Sequence, residues 1–146
     1  MPIKMTTSPQ EIRNYLQQQL ERKHRAMIAA LQYVGEACLK QARDGHKYIN
    51  RTGNLASSVG YCIVEDGKIA NESSWQMQLN GSEGQGEGIK YLHSLATQAG
   101  KGITFIMVAG MPYAQYVEAM GLDVLDSAEI NAESMIPRVL KALFSD

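Results

Sequence analysis

The stretch "RTGNLASSVGYCIVEDGKI" (residues 51–69) decides how this chain folds, because backbone direction and periodicity both change inside it. Thr52-Gly53-Asn54 is a turn: Gly supplies a positive φ and Asn bonds back to nearby backbone. "NLASS" then has the composition of one helical turn capped by Asn54. From Val59 the chain reads as strand, with Val59, Tyr61 and Ile63 alternating with Gly60, Cys62 and Val64. Glu65-Asp66-Gly67 is a hairpin turn, marked by its Asp-Gly pair, and residues 68–73 are the return strand.

Working outward, the chain before this corner reads as one long helix. Ser8 is an N-cap, Pro9 suits the first helical position, and Glu11 completes a capping box. Ile12, Tyr15, Leu16, Leu20, Met27, Leu31, Val34 and Cys38 follow at helical gaps and form one apolar stripe. Asp44-Gly45 marks the end, with Gly45 as the residue just past it. The cationic segment "ERKHRA" reads as a solvated face.

Beyond the hairpin, "NGSEGQGEG" (residues 80–88) holds four glycines and two acids and reads as a flexible loop. "IKYLHSLATQAG" fits a short helix ending at Gly100. "GITFIMVA" is a strand, apolar on both faces and so placed centrally in the sheet. In "MPYAQYVEAMG", Tyr113, Tyr116, Val117 and Met120 share one face of a two-turn helix. That spacing favours core packing for both tyrosines. The last helix begins near "DSAE" and carries Ile136, Val139, Leu140, Leu143 and Phe144, with a kink or break expected at Pro137. The fold class is α+β: a long N-terminal helix, a small, mostly antiparallel sheet, and C-terminal helices packed on one side, in one domain spanning residues 1–146.

The totals are those of a globular chain, with 45% apolar and 20% charged residues and a net charge of −1. That balance gives no case for nucleic acid or an anionic membrane. The distribution is uneven. Residues 1–60 carry nine Lys/Arg against four acids, a net +5, and residues 61–146 carry five against eleven, a net −6. The halves could attract within one copy or between copies. Cys38 and Cys62 form no CxxC pair and have no His at ligand spacing, so they read as small buried residues of a reducing compartment. No apolar run has the length of a membrane span.

Catalytic patterns fail one by one. The Gly-rich stretch lacks the GxxxxGK[ST] order of a P-loop, and no GxGxxG follows a strand, so no nucleotide cofactor is expected. His24, His46 and His93 lie among polar neighbours with no nucleophile motif beside them. Glu65-Asp66 and the pair Asp123 and Asp126 suit turns and caps better than sugar chemistry. Arg51 stands almost alone as a charge beside the turn. It could meet a carboxylate of its own chain or of a neighbour.

Two stretches together carry a resemblance. "RTGNLASSVGYCIVEDGKI" and "GMPYAQYVEAMGLDVL" (residues 110–125) resemble, in order and spacing, the tail-component family of tailed bacteriophages. Arg51, Thr52, Gly53, Asn54 and Leu55 match the first motif; Tyr113, Ala114, Tyr116, Val117 and Glu118 match the second. The resemblance implies a non-enzymatic virion part of a phage or prophage, made in the host cytoplasm. Head–tail joining, tail-completion, neck and minor tail proteins belong to that family. It implies rings of several copies, contacts with other neck or tail proteins, and no catalytic, metal or cofactor residues. The matched positions would serve fold and subunit contact, and the Gly-rich excursion departs from the family pattern. Two other readings stand beside it: a cytosolic adaptor domain, and a small enzyme in which Arg51, His46 and Glu118 or Asp123 converge.

Overall fold

The computed structural model describes residues 1–144. Its elements run α1 (Pro9–Asp44), α2 (Asn54–Ser57), β1 (Val59–Glu65), β2 (Lys68–Glu72), α3 (Ser82–Thr97), β3 (Ile103–Ala109), α4 (Ala114–Ala119) and α5 (Asp126–Phe144). This is the α+β arrangement the sequence reading gave, with a three-stranded sheet ordered β2-β1-β3 and antiparallel throughout.

The hairpin forms as its turn chemistry requires, with Asp66 at φ 51° and Gly67 at φ 82°. Ala70 is the extra residue of a bulge in β2, because Ile63 faces Asn71 while Val64 faces Ile69. α1 starts at Ser8, whose hydroxyl accepts from the Glu11 amide. α5 packs antiparallel beside the second half of α1. Together they cover one sheet face, burying Leu31, Val34, Cys38, Val59, Tyr61, Ile63 and Ala128 in one cluster. The other face is covered by α3, through Cys62, Val64, Leu92, Ala96 and Val108.

Five expectations are corrected. The glycine-rich run 80–88 is not a loop: from Ser82 it forms the first turns of α3, a helix of 16 residues ending at Thr97 rather than Gly100. Two of its glycines are there for approach. A Cβ on Gly84 would lie 1.9 Å from the Asn54 carbonyl oxygen, and one on Gly88 would lie 2.5 Å from that of Ser58. The helix therefore touches backbone that any side chain would hold off. The strand "ITFIMVA" is an edge, not the centre; helices cover both of its faces, which makes it apolar without pairing both of its sides. Tyr113 and Tyr116 are exposed, and α4 instead buries Ala114 with Val117 half-buried behind it. α5 runs unbroken through Pro137, which is on the exposed side, where water can meet the carbonyl the proline leaves unpaired. Finally, the α1 stripe is buried only from Leu31 onward, and Ile12, Tyr15, Leu16 and Leu20 stand in solvent. None of the helices described is long and apolar enough to cross a membrane.

Candidate functional site

The two motif stretches meet. Leu55, from the first, packs with Met111, Ala114 and Val124, from the second, and with Tyr48; Val117, Leu122 and Leu125 close the cluster. The backbones join as well, the Gly110 amide donating to the Ser58 carbonyl at 3.1 Å. One corner of the molecule is thus built from residues about sixty positions apart.

Gly53, Asn54, Thr52 and Glu118 each have a local task in it. Gly53 takes φ 81°, and a Cβ there would strike the Gln78 carbonyl oxygen at 1.8 Å. It also caps α2, the place expected of Asn54. Asn54 turns its side-chain oxygen to the Gly84 amide at 3.0 Å, pinning α3 to the corner. Thr52 accepts from the Asn54 amide at 3.3 Å. Arg51 is exposed, and its guanidinium meets no carboxylate among the described residues.

Glu118 is the most heavily used acid. Its carboxylate accepts the amides of Val124, Leu125 and Asp126 at 2.7, 2.6 and 2.8 Å, at the start of α5. A negative group there satisfies donors the helix leaves open and meets the positive end of its dipole. Asp123, at φ 56°, accepts both the amide and the hydroxyl of Ser127. Those two bonds hold its carboxyl below the usual carboxylate range. His46 bonds the Tyr48 carbonyl and stacks on the Tyr48 ring at 4.1 Å. Arg51, His46, Glu118 and Asp123 therefore spend their polar atoms separately, on local backbone or in solvent, rather than on one point in space. Buried Arg43 serves the same corner, donating to the carbonyls of Val59 and Ser74, and burial lowers its pKa.

Beside the corner is a hollow of about 240 Å³ between α3, the edge of β3 and α4; among the described residues Glu118 is its one carboxylate. A second, of about 230 Å³, lies on the other side of β3 and is lined by Phe105, Met107, Leu125, Ala128, Glu129 and Ala132. No group of three or more His, Cys, Asp or Glu could hold a metal ion among the described residues. His24 pairs with Glu65 at 3.1 Å and His93 pairs with Glu72, which also accepts from Trp75. Cys38 and Cys62 are free and buried, and burial raises both thiols, Cys62 to about 11.

What the molecule offers outward is surface, and here sequence reasoning missed two features. The first is the edge of β3. Hydrogen bonds from Gly110 to Ser58 and from Asp66 to Gly102 bracket the β1–β3 ladder. With the register Glu65↔Ile103, Ile63↔Phe105 and Tyr61↔Met107, those three β3 residues are the pairs that exchange no bonds with β1. Their amides and carbonyls face outward and meet no strand among the described residues. The second is the free half of α1, where Tyr15, Leu16 and Leu20 are each 57–61% exposed. The signal for it was length. A 36-residue helix spans about 54 Å, whereas a seven-residue strand spans about 23 Å, so no small sheet could cover the whole stripe. Comparison with family models, with curated proteins and with solved structures gives no significant match for this chain.

Proposed function

We propose that this chain is a structural, self-assembling part of a tailed-phage or prophage particle, placed at the head–tail junction or in the tail, and that copies of it join in a ring. The observation that carries the reading is the open edge of β3. A seven-residue edge strand without proline or charge templates uncontrolled pairing unless something covers it. Proteins that work alone blunt such edges with lysine, proline or a bulge, and here the bulge sits on β2 instead. An edge left apolar is one that assembly completes.

The corner supports the same reading. Leu55, Ala114 and Val117 lock the two motif stretches together inside, while Arg51, Thr52, Tyr113 and Tyr116 look outward from it. Arg51 has no partner acid in its own chain among the described residues, which suits a charge meant for a neighbour. Tyrosine suits contact surfaces because it combines large area with few rotatable bonds. A ring needs two different patches per copy, and the basic first part and acidic remainder of the chain supply opposite signs for them. Electron microscopy of the purified protein tests this directly. Closed rings, together with portal, capsid and tail genes beside its own, are expected. Single particles of monomer size at high concentration and low salt would overturn it.

A further inference from the structure

From the same assembly reading, we infer which surfaces meet: the free half of α1 from one copy lies in the apolar groove between β3 and α5 of the next. The helix comes first. Lys23 donates to the Leu143 carbonyl and its ammonium lies 5.4 Å above the Phe144 ring, so α5 ends beside residue 23. Before that point no helix or strand among the described residues packs over the stripe, and residues 1–18 are all exposed. On this free part Ile12, Leu16 and Leu20 recur every four residues, with Tyr15 beside them. They continue the line that Leu31, Val34 and Cys38 bury farther along the same helix. One stripe is therefore covered in its second half and bare in its first.

The groove has the complementary character. Phe105, Met107, Leu125, Ala128 and Ala132 form its walls, giving a volume of about 230 Å³, room for the tips of two or three apolar side chains. The open β3 edge forms its margin, and laying a helix over an edge is one of the ways proteins close it. Charge fixes the pairing. Residues 1–25 carry Lys4, Arg13, Arg22, Lys23 and Arg25 against Glu11 and Glu21. The exposed side of α5 next to the groove carries Asp126, Glu129 and Glu133, and no base precedes Arg138 on that helix. A basic apolar helix facing an acidic apolar groove is attractive. Two α1 helices face to face would instead oppose Arg13 and Lys23 with their own copies. The contact joins unlike patches, so it propagates from copy to copy. The anchors follow the usual i, i+3, i+4 pattern of a helix in a groove.

The test is a crosslink combined with a charge block. Within one copy Ala132 lies near Cys38, whose thiol donates to the Ala128 carbonyl. Leu16 is about 30 Å away along the helix, too far for a disulfide inside the chain. A Leu16→Cys, Ala132→Cys, Cys38→Ala protein should form chain-to-chain disulfide ladders on mild oxidation, because the one native cysteine left, Cys62, is buried. Leu16→Glu with Leu20→Glu should keep the monomer's circular dichroism and weaken association by at least about tenfold, the loss expected when central anchors become charges. If the unmodified protein assembles but the ladder is absent and the charged variant assembles equally well, this inference fails and the assembly reading stands. If removing residues 1–7 abolishes assembly while the charged variant keeps it, an extended arm and not the helix covers the edge, and the inference also fails. If the unmodified protein is monomeric throughout, both fail.

Discussion

The two halves of α1 share one helix, one apolar stripe and one periodicity, yet live in different surroundings. From Leu31 to Ala42 the stripe is packed under β1 and α5; from Ile12 to Leu20 it faces solvent. The difference teaches that periodicity reports which side of a helix wants cover, and says nothing of whether the same chain provides it. In the second half, burial is repaid within one copy. In the first, the apolar area is still in water, and its free energy is there to be collected by association.

The largest effect that sharpens this contrast is a matched pair of truncations. Leu31→Ala should cost about 2–5 kcal/mol in chemical denaturation, the range for emptying a packed site. Leu16→Ala should change the monomer, measured at high dilution, by less than about 0.5 kcal/mol. Equal costs would break the comparison.

A smaller effect separates two glycines of α3. Gly84→Ala puts a methyl into the Asn54 backbone and should destabilise by about 1–3 kcal/mol, despite the better helix propensity of alanine. Gly86 has nothing within 4 Å of its missing Cβ, so Gly86→Ala should stabilise by up to about 1 kcal/mol. Thermal melts of the two variants should move in opposite directions. The same sign for both would mean that α3 does not ride on the corner.

The smallest effect concerns pH. The Ser127 bonds hold the folded-state pKa of Asp123 below its unfolded value. Its contribution is therefore fully present above the ordinary carboxylate range and is lost as pH falls through the folded-state value. Asp123→Asn should lower stability slightly in the neutral region and leave the acid end nearly unchanged, so that the acid limb of stability against pH becomes shallower. The side chain is only partly buried and solvent screens it, so the change is slight.

Much of the fold could be read from local chemistry. Ser8-Pro9, Gly53 and Asp66-Gly67 each admit few conformations, and α1, the corner and the hairpin follow from them. Most of the misreadings share one cause: they turned on contacts between distant residues. Glycines at 84 and 88 look like slack until the backbones of Asn54 and Ser58 are seen against them. A strand apolar on both faces looks central until its second edge proves unpaired. Tyr113 and Tyr116 have the spacing of core residues, but Ala114 and Met111 face the cluster and Tyr116 is 74% exposed. The candidate site was half legible. Its motif residues were named, and Glu118 and Asn54 turned out to hold backbone amides that no motif could foretell. The bare stripe and the open edge were missed because an exposed apolar surface leaves the same pattern in sequence as a buried one.

Amide hydrogen exchange of residues 9–22, followed across protein concentration, tests the central claim most directly. If a second copy covers the free half of α1, its amides should exchange rapidly in dilute protein and become protected as concentration rises, while those from Leu31 to Ala42 stay protected throughout. Exchange in residues 9–22 that is the same at every concentration would contradict it.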